Sequence, residues 1–155
     1  MTRPDNVTPF RPRRPPPKTR GGNPLKSHRG KVLFVHAMTL AAFACYAASS
    51  FLMGGGSIVS YVGLGFGIAA VAVAATNRRE GMPWAVTHHE HALRTVVIGA
   101  ASWMLANLLL FLPMAGGVVF YLMIGIAIWT LTRAGVDFVL GLLRKPIPNP
   151  KSFLF

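Results

Sequence analysis

Acidic residues are almost missing from this 155-residue chain: Asp5, Glu80, Glu90 and Asp137 are the four it has. Chemistry built on paired carboxylates has little to draw on, and Ser102 has no base near it, so no catalytic residue is assigned and an enzyme is not expected. Cysteine is as scarce. Cys45 stands alone, which excludes an intrachain disulfide and any four-thiol metal framework. It does not fit a lipoprotein cleavage site either, because Ala42 and Phe43 precede it and apolar sequence continues to Met53. Charge of both signs is absent from several long stretches. With 52% hydrophobic and only 13% charged residues, the chain is far more apolar than an ordinary soluble domain.

What is there is sharply segregated. Residues 1–31 hold nine of the 16 basic residues and seven of the 12 prolines, with almost no aliphatic side chains before Leu25. Such a segment cannot bury enough apolar surface to offset its ordering entropy, and a disordered Pro/Arg-rich arm is expected. Four apolar runs follow, at 32–53, 58–76, 95–112 and 118–136. At about 1.5 Å per residue each is long enough to cross most or all of a ~30 Å hydrocarbon core. The expectation is an all-α, integral membrane four-helix bundle made of two helical hairpins, occupying 32–143. A basic Pro-rich tail at 144–155 follows, where Pro146, Pro148 and Pro150 prevent further helix.

The connections differ in charge. Gly54 to Ser57 and Pro113 to Gly117 have none, whereas the arm, the tail and the central segment from Asn77 to Arg94 are basic. Lys and Arg in short loops are retained on the cytoplasmic side, so an even number of spans with both termini inside satisfies every segment. A cleaved signal peptide is a poor account of the first run, because the preceding arm and the run itself are both too long. Arg13 and Arg14 do not make a twin-arginine signal, since prolines follow and the apolar run begins far downstream.

The central segment reads Thr87, His88, His89, Glu90, His91. On a helix, His88 and His91 share a face, and neutral imidazoles so placed are zinc ligands. Two ligands are too few, and the H-E-x-x-H pattern fails at Leu93. No metal is expected, with His88 and His91 as the only candidate ligands. The favoured reading is a helix start at headgroup depth, with Trp84 and His88 at the interface. His36 lies on the same side, which makes a bis-histidine haem conceivable, yet nothing else supports one and no cofactor is expected. Arg133 and Asp137, four apart, are expected to form a solvated interfacial ion pair. With no Asp, Glu, Lys or Arg in the middle of any run, proton-coupled transporters and voltage sensors are disfavoured. Gly63, Gly67 and Gly99 are assigned to close helix packing within the chain, and Asn107 to a hydrogen bond across helices. Arg94, where the polar segment meets the third run, is expected to anchor on phosphates or to reach Asp137.

Two stretches resemble a family of small uncharacterised bacterial inner-membrane proteins. In that family an S-H-x-x-x-Q-I-R-T-F-W stretch leads into the third span; here His88, Arg94 and Thr95 match by spacing, Leu93 replaces the isoleucine, and Ala92, Val96 and Val97 depart from the pattern. After the fourth span the family tends to show an R-x-x-x-G-like stretch followed by K-P-I-P, and here stand Arg133, Gly141, Lys145, Pro146, Ile147 and Pro148. The resemblance covers roughly residues 57–150. It is similar, more distantly and in layout alone, to the four-span subunit of the chloroplast inner-envelope protein translocon. It implies a multi-pass protein of the bacterial inner membrane and no specific chemistry.

Two function classes are therefore carried forward. One is a structural or assembly partner within a membrane complex, the other a small pore-lining or translocon-like subunit. Expected partners are the lipid bilayer, anionic headgroups touching the basic arm, and a membrane-protein partner or a second copy. Nucleic acid is not expected.

Overall fold

The computed structural model describes residues 24–152 except 54, 55 and 80. Residues 1–23, the greater part of the expected disordered arm, lie outside the described residues. The rest is all-α: a 3-10 turn at Pro24–Lys26, then α1 (His28–Leu52), α2 (Ile58–Asn77), α3 (Pro83–Leu109) and α4 (Gly116–Leu142). All four helices are long and apolar enough to cross a membrane.

Each helix start has a local reason. Ser27 caps α1, its hydroxyl accepting from Gly30 N at 3.0 Å and so satisfying a backbone donor that has no partner in the first turn. Consequently Lys31 and the residues before it are helical rather than part of the arm, four residues ahead of the uncharged run. Pro83 stands in the first turn of α3, where its missing N–H costs nothing and its fixed φ suits a helix. This start corrects the expectation of a polar loop up to Arg94: residues 83–94 are helix, and the connection shrinks to a few residues. The buried positions of α3, Ala85, His88, Ala92, Thr95, Gly99, Trp103 and Ala106, follow one helical stripe straight through that boundary.

The helices form two hairpins, with α1 packed against all three others and α3 touching each as well; α2 and α4 do not meet among the described residues. Small residues set the approach. A Cβ on Gly63 would meet Cys45 Cβ at 2.9 Å and the Ala42 carbonyl at 3.0 Å, while one on Gly99 would strike the Phe43 ring and Thr130 Cγ2. Gly67 faces Ala42 at a looser 3.9 Å. Asn107 departs from expectation: it is exposed, and its Nδ2 donates to Trp103 O of its own helix at 2.8 Å. The stripe places it away from the neighbouring helices.

The surface is inverted relative to a water-soluble bundle. Tyr61, Leu64, Ile68, Met104, Leu105 and Ile128 point outward, an apolar exterior that lipid tolerates and water does not. Inside, Trp103, Ala106, Val119, Met123 and Ala127 fill the end nearest the two uncharged turns. There Tyr46 stacks on Trp103 at 6.0 Å and Phe51 packs edge-on against Phe120 at 5.7 Å.

Candidate functional site: a buried polar cluster

The opposite end, shared by the start of α1, the α2–α3 connection and the end of α4, has a different interior. Buried there are His36 from α1, His88, His89, His91 and Thr95 from α3, and Arg133 and Asp137 from α4. His88 and Asp137 lie five residues from the ends of their helices, His36 and His91 eight and Arg133 nine, so the cluster spans depths of ~8–13 Å at 1.5 Å per residue.

Arg133 is the centre of it. Fully buried, its guanidinium must replace every contact it would have had with water. Its Nε donates to Thr95 Oγ1 at 2.8 Å, one Nη to the Ser152 carbonyl at 2.7 Å and to His91 Nδ1 at 3.3 Å, and its Cζ lies 5.3 Å from the centre of the Trp129 ring. Thr95 can accept because its own hydrogen goes to the His91 carbonyl at 2.9 Å. On the other side His36 Nε2 and His88 Nδ1 are hydrogen-bonded at 3.0 Å, and His88 Nε2 meets the Lys145 carbonyl at 2.9 Å. Asp137 Oδ2 lies between the two halves, 3.3 Å from His91 Nε2 and 4.0 Å from His36 Nδ1.

The lid over the cluster is the tail. At the end of α4, Arg144 takes φ 54°, with Arg144 N bonded to Gly141 O at 3.2 Å and Lys145 N to Leu140 O at 3.0 Å. That pair of bonds is the Schellman ending, normally built on glycine. It turns the chain back over the bundle, so that Ile147 is buried and its N–H donates to Thr87 Oγ1 at 3.2 Å. Pro146 and Pro148 keep the chain of this strap out of helix as far as a turn at Asn149–Ser152, and the Lys145 and Ser152 carbonyls reach His88 and Arg133.

Several expectations change here. Arg133 and Asp137 are not a solvated pair, because α4 continues to Leu142 and both lie in the protein interior, Asp137 only 3% exposed. His88 and His91 likewise turn into the protein interior, each being 1% exposed. Among the described residues no group of three or more His, Cys, Asp or Glu side chains is arranged to hold a metal ion. The direct His36–His88 hydrogen bond leaves no gap for a haem iron between those nitrogens. Arg94 points outward, pairs with Glu90 at 3.5 Å, and lines a cleft of about 560 Å³ with Arg78 and Arg79. Trp84 is half-buried against the His88 ring.

Thr87, His89, Lys145 and Ser152 enter the cluster without having been assigned a place in it. The signal available for them was the unbroken α3 stripe and the proline-terminated ending of α4. The chain matches no protein-family model, no curated protein and no solved structure.

Proposed function

We propose that this is a multi-pass inner-membrane protein serving as a structural or assembly partner within a membrane complex, with both termini in the cytoplasm. The observation that carries the reading is the closure of the bundle interior. Buried polar side chains gather at one end apart from Ser49, which bonds Ser57 and Ser60 beside the α1–α2 turn, and between the two groups the axis is filled by Phe43, Trp103, Met123 and Ala127. A conduit needs polar lining along its length; this interior interrupts it, which favours the partner role over a pore-lining one. The three basic segments support the orientation. The cleft bearing Arg78, Arg79 and Arg94 supports headgroup contact at the same end, where the basic arm also attaches. The partial resemblance to small bacterial inner-membrane proteins fits the location.

Affinity purification of the full chain in a mild detergent, read by mass spectrometry, tests the role. A membrane partner recovered in stoichiometric amount is expected. Purified chain that carries no partner and conducts ions or solutes in liposomes overturns the reading in favour of a pore.

A further inference from the structure

Two hydrogen-bond acceptors in the cluster face each other with no hydrogen between them. From the tail inward, the Lys145 carbonyl accepts only, so His88 must carry its hydrogen on Nε2. Neutral His88 then offers a lone pair at Nδ1, which takes the hydrogen of His36 Nε2. His36 Nδ1 is left bare. From the opposite end, Arg133 donates only and lies 3.3 Å from His91 Nδ1, while the Pro150 carbonyl of the strap is an acceptor for a His91 N–H; with Arg133 as the partner of Nδ1, the hydrogen of His91 sits on Nε2, 3.3 Å from Asp137 Oδ2. The two chains of tautomers meet at His36 Nδ1 and Asp137 Oδ2, 4.0 Å apart. Both atoms are buried and without a hydrogen-bond partner, as is His91 Nε2.

We propose that this gap is a binding site for one proton. A proton placed there turns two opposed lone pairs into an N–H···O contact, shared by His36 and Asp137, after the side chains close the remaining distance. The same tautomer chains limit the uptake to one. A second proton on His88 Nδ1 sets hydrogens head to head across 3.0 Å. The surrounding charges are few. α1 contributes His36 and, nearer the end, His28, Arg29 and Lys31; α3 contributes His88, His89 and His91, with Arg94 and Glu90 turned outward; α4 contributes Arg133 and Asp137; the strap contributes carbonyls, its Arg144, Lys145 and Lys151 side chains being exposed. The only titratable side chain of α2 is Tyr61, outward-facing and in the first turn, at the other end of the bundle. Among the described residues no three His, Cys, Asp or Glu side chains are arranged to hold a metal here. A water giving one hydrogen to each acceptor is the uncharged alternative.

The test uses the full chain in lipid nanodiscs with isotope-labelled histidine, followed by ring-nitrogen NMR between about pH 8 and about pH 4, together with infrared difference spectra of the carboxyl band. At the alkaline end His36 should show Nε2–H and a bare Nδ1. On acidification one proton per chain should appear on His36 Nδ1 or on the Asp137 carboxyl, with His88 keeping its single Nε2–H. Asp137→Asn should abolish that uptake, while Glu90→Gln should leave it intact. Absence of any change at both His36 and Asp137 over the range overturns the proposal in favour of water. So does a His88 that becomes doubly protonated first, or an Asp137→Asn chain that titrates like the unaltered one. Should Asp137→Asn fail to fold, the His36 and carboxyl signals of the unaltered chain decide by themselves.

Discussion

Replacing Gly99 with alanine isolates how tightly α3 is held against α1 and α4. In a helix interior with open space, the added methyl improves backbone propensity by up to about 1 kcal/mol. At Gly99 the new Cβ would lie 2.7 Å from Thr130 Cγ2 and closer still to the Phe43 ring, against an ordinary carbon–carbon contact of roughly 3.5–4.0 Å. Phe43 is 1% and Thr130 0% exposed, so neither has solvent or lipid to move into. Overpacking of this kind costs about 1–3 kcal/mol, and with contacts this short the upper part of that range applies, so after the propensity gain a net loss approaching about 2 kcal/mol is expected. Gly65→Ala is the matched control, because nothing lies within 4 Å of its Cβ position. Reversible denaturation in mixed micelles should show Gly99→Ala unfolding earlier and Gly65→Ala unchanged or slightly more stable. Equal behaviour of the two variants, or a stabilised Gly99→Ala, refutes the packing argument.

Other perturbations probe the cluster and its lid. Thr95→Val keeps the shape but removes the acceptor of Arg133 Nε, leaving a buried charged donor short of a bond, and should cost about 1.5–3 kcal/mol; Thr130→Val, whose hydroxyl bonds only carbonyls of its own helix, should cost clearly less in the same denaturation assay. Arg144→Gly relieves an αL residue at the turn into the strap and should stabilise the protein by about 0.5–1 kcal/mol, seen as a raised thermal midpoint. Arg94→Lys should stay within about 0.5 kcal/mol of the original chain, since Arg94 is partly exposed and paired with Glu90 over a single turn; a larger loss points to a bidentate grip on an acid.

Hydropathy made the four helices legible because each span must be apolar over its whole length, a signal that survives without any knowledge of packing. Helix ends were less legible where a polar residue faced inward. His88, His91, Arg133 and Asp137 look, as letters, like the edge of a membrane; the register carried from Ala85 through Ala106 turns the two histidines into the bundle, and that of Met123, Ala127, Thr130 and Ala134 does the same for Arg133 and Asp137. The strap was illegible for another reason: its contribution comes from the carbonyls of Lys145 and Ser152, which no side-chain pattern encodes. Asn107 misled in the opposite direction, being polar in the middle of a run yet bonded to its own backbone.

The account rests on a four-span chain with the polar cluster at the cytoplasmic end, and reporter fusions along the full chain in a bacterial host test that directly. Fusions after Gly56 and after Ala115 should report a periplasmic position, and fusions after Gly81 and at Phe155 a cytoplasmic one. A periplasmic signal after Gly81 contradicts the account, because it would put the α2–α3 connection, and with it the His36, His91 and Arg133 cluster, on the wrong side of the membrane.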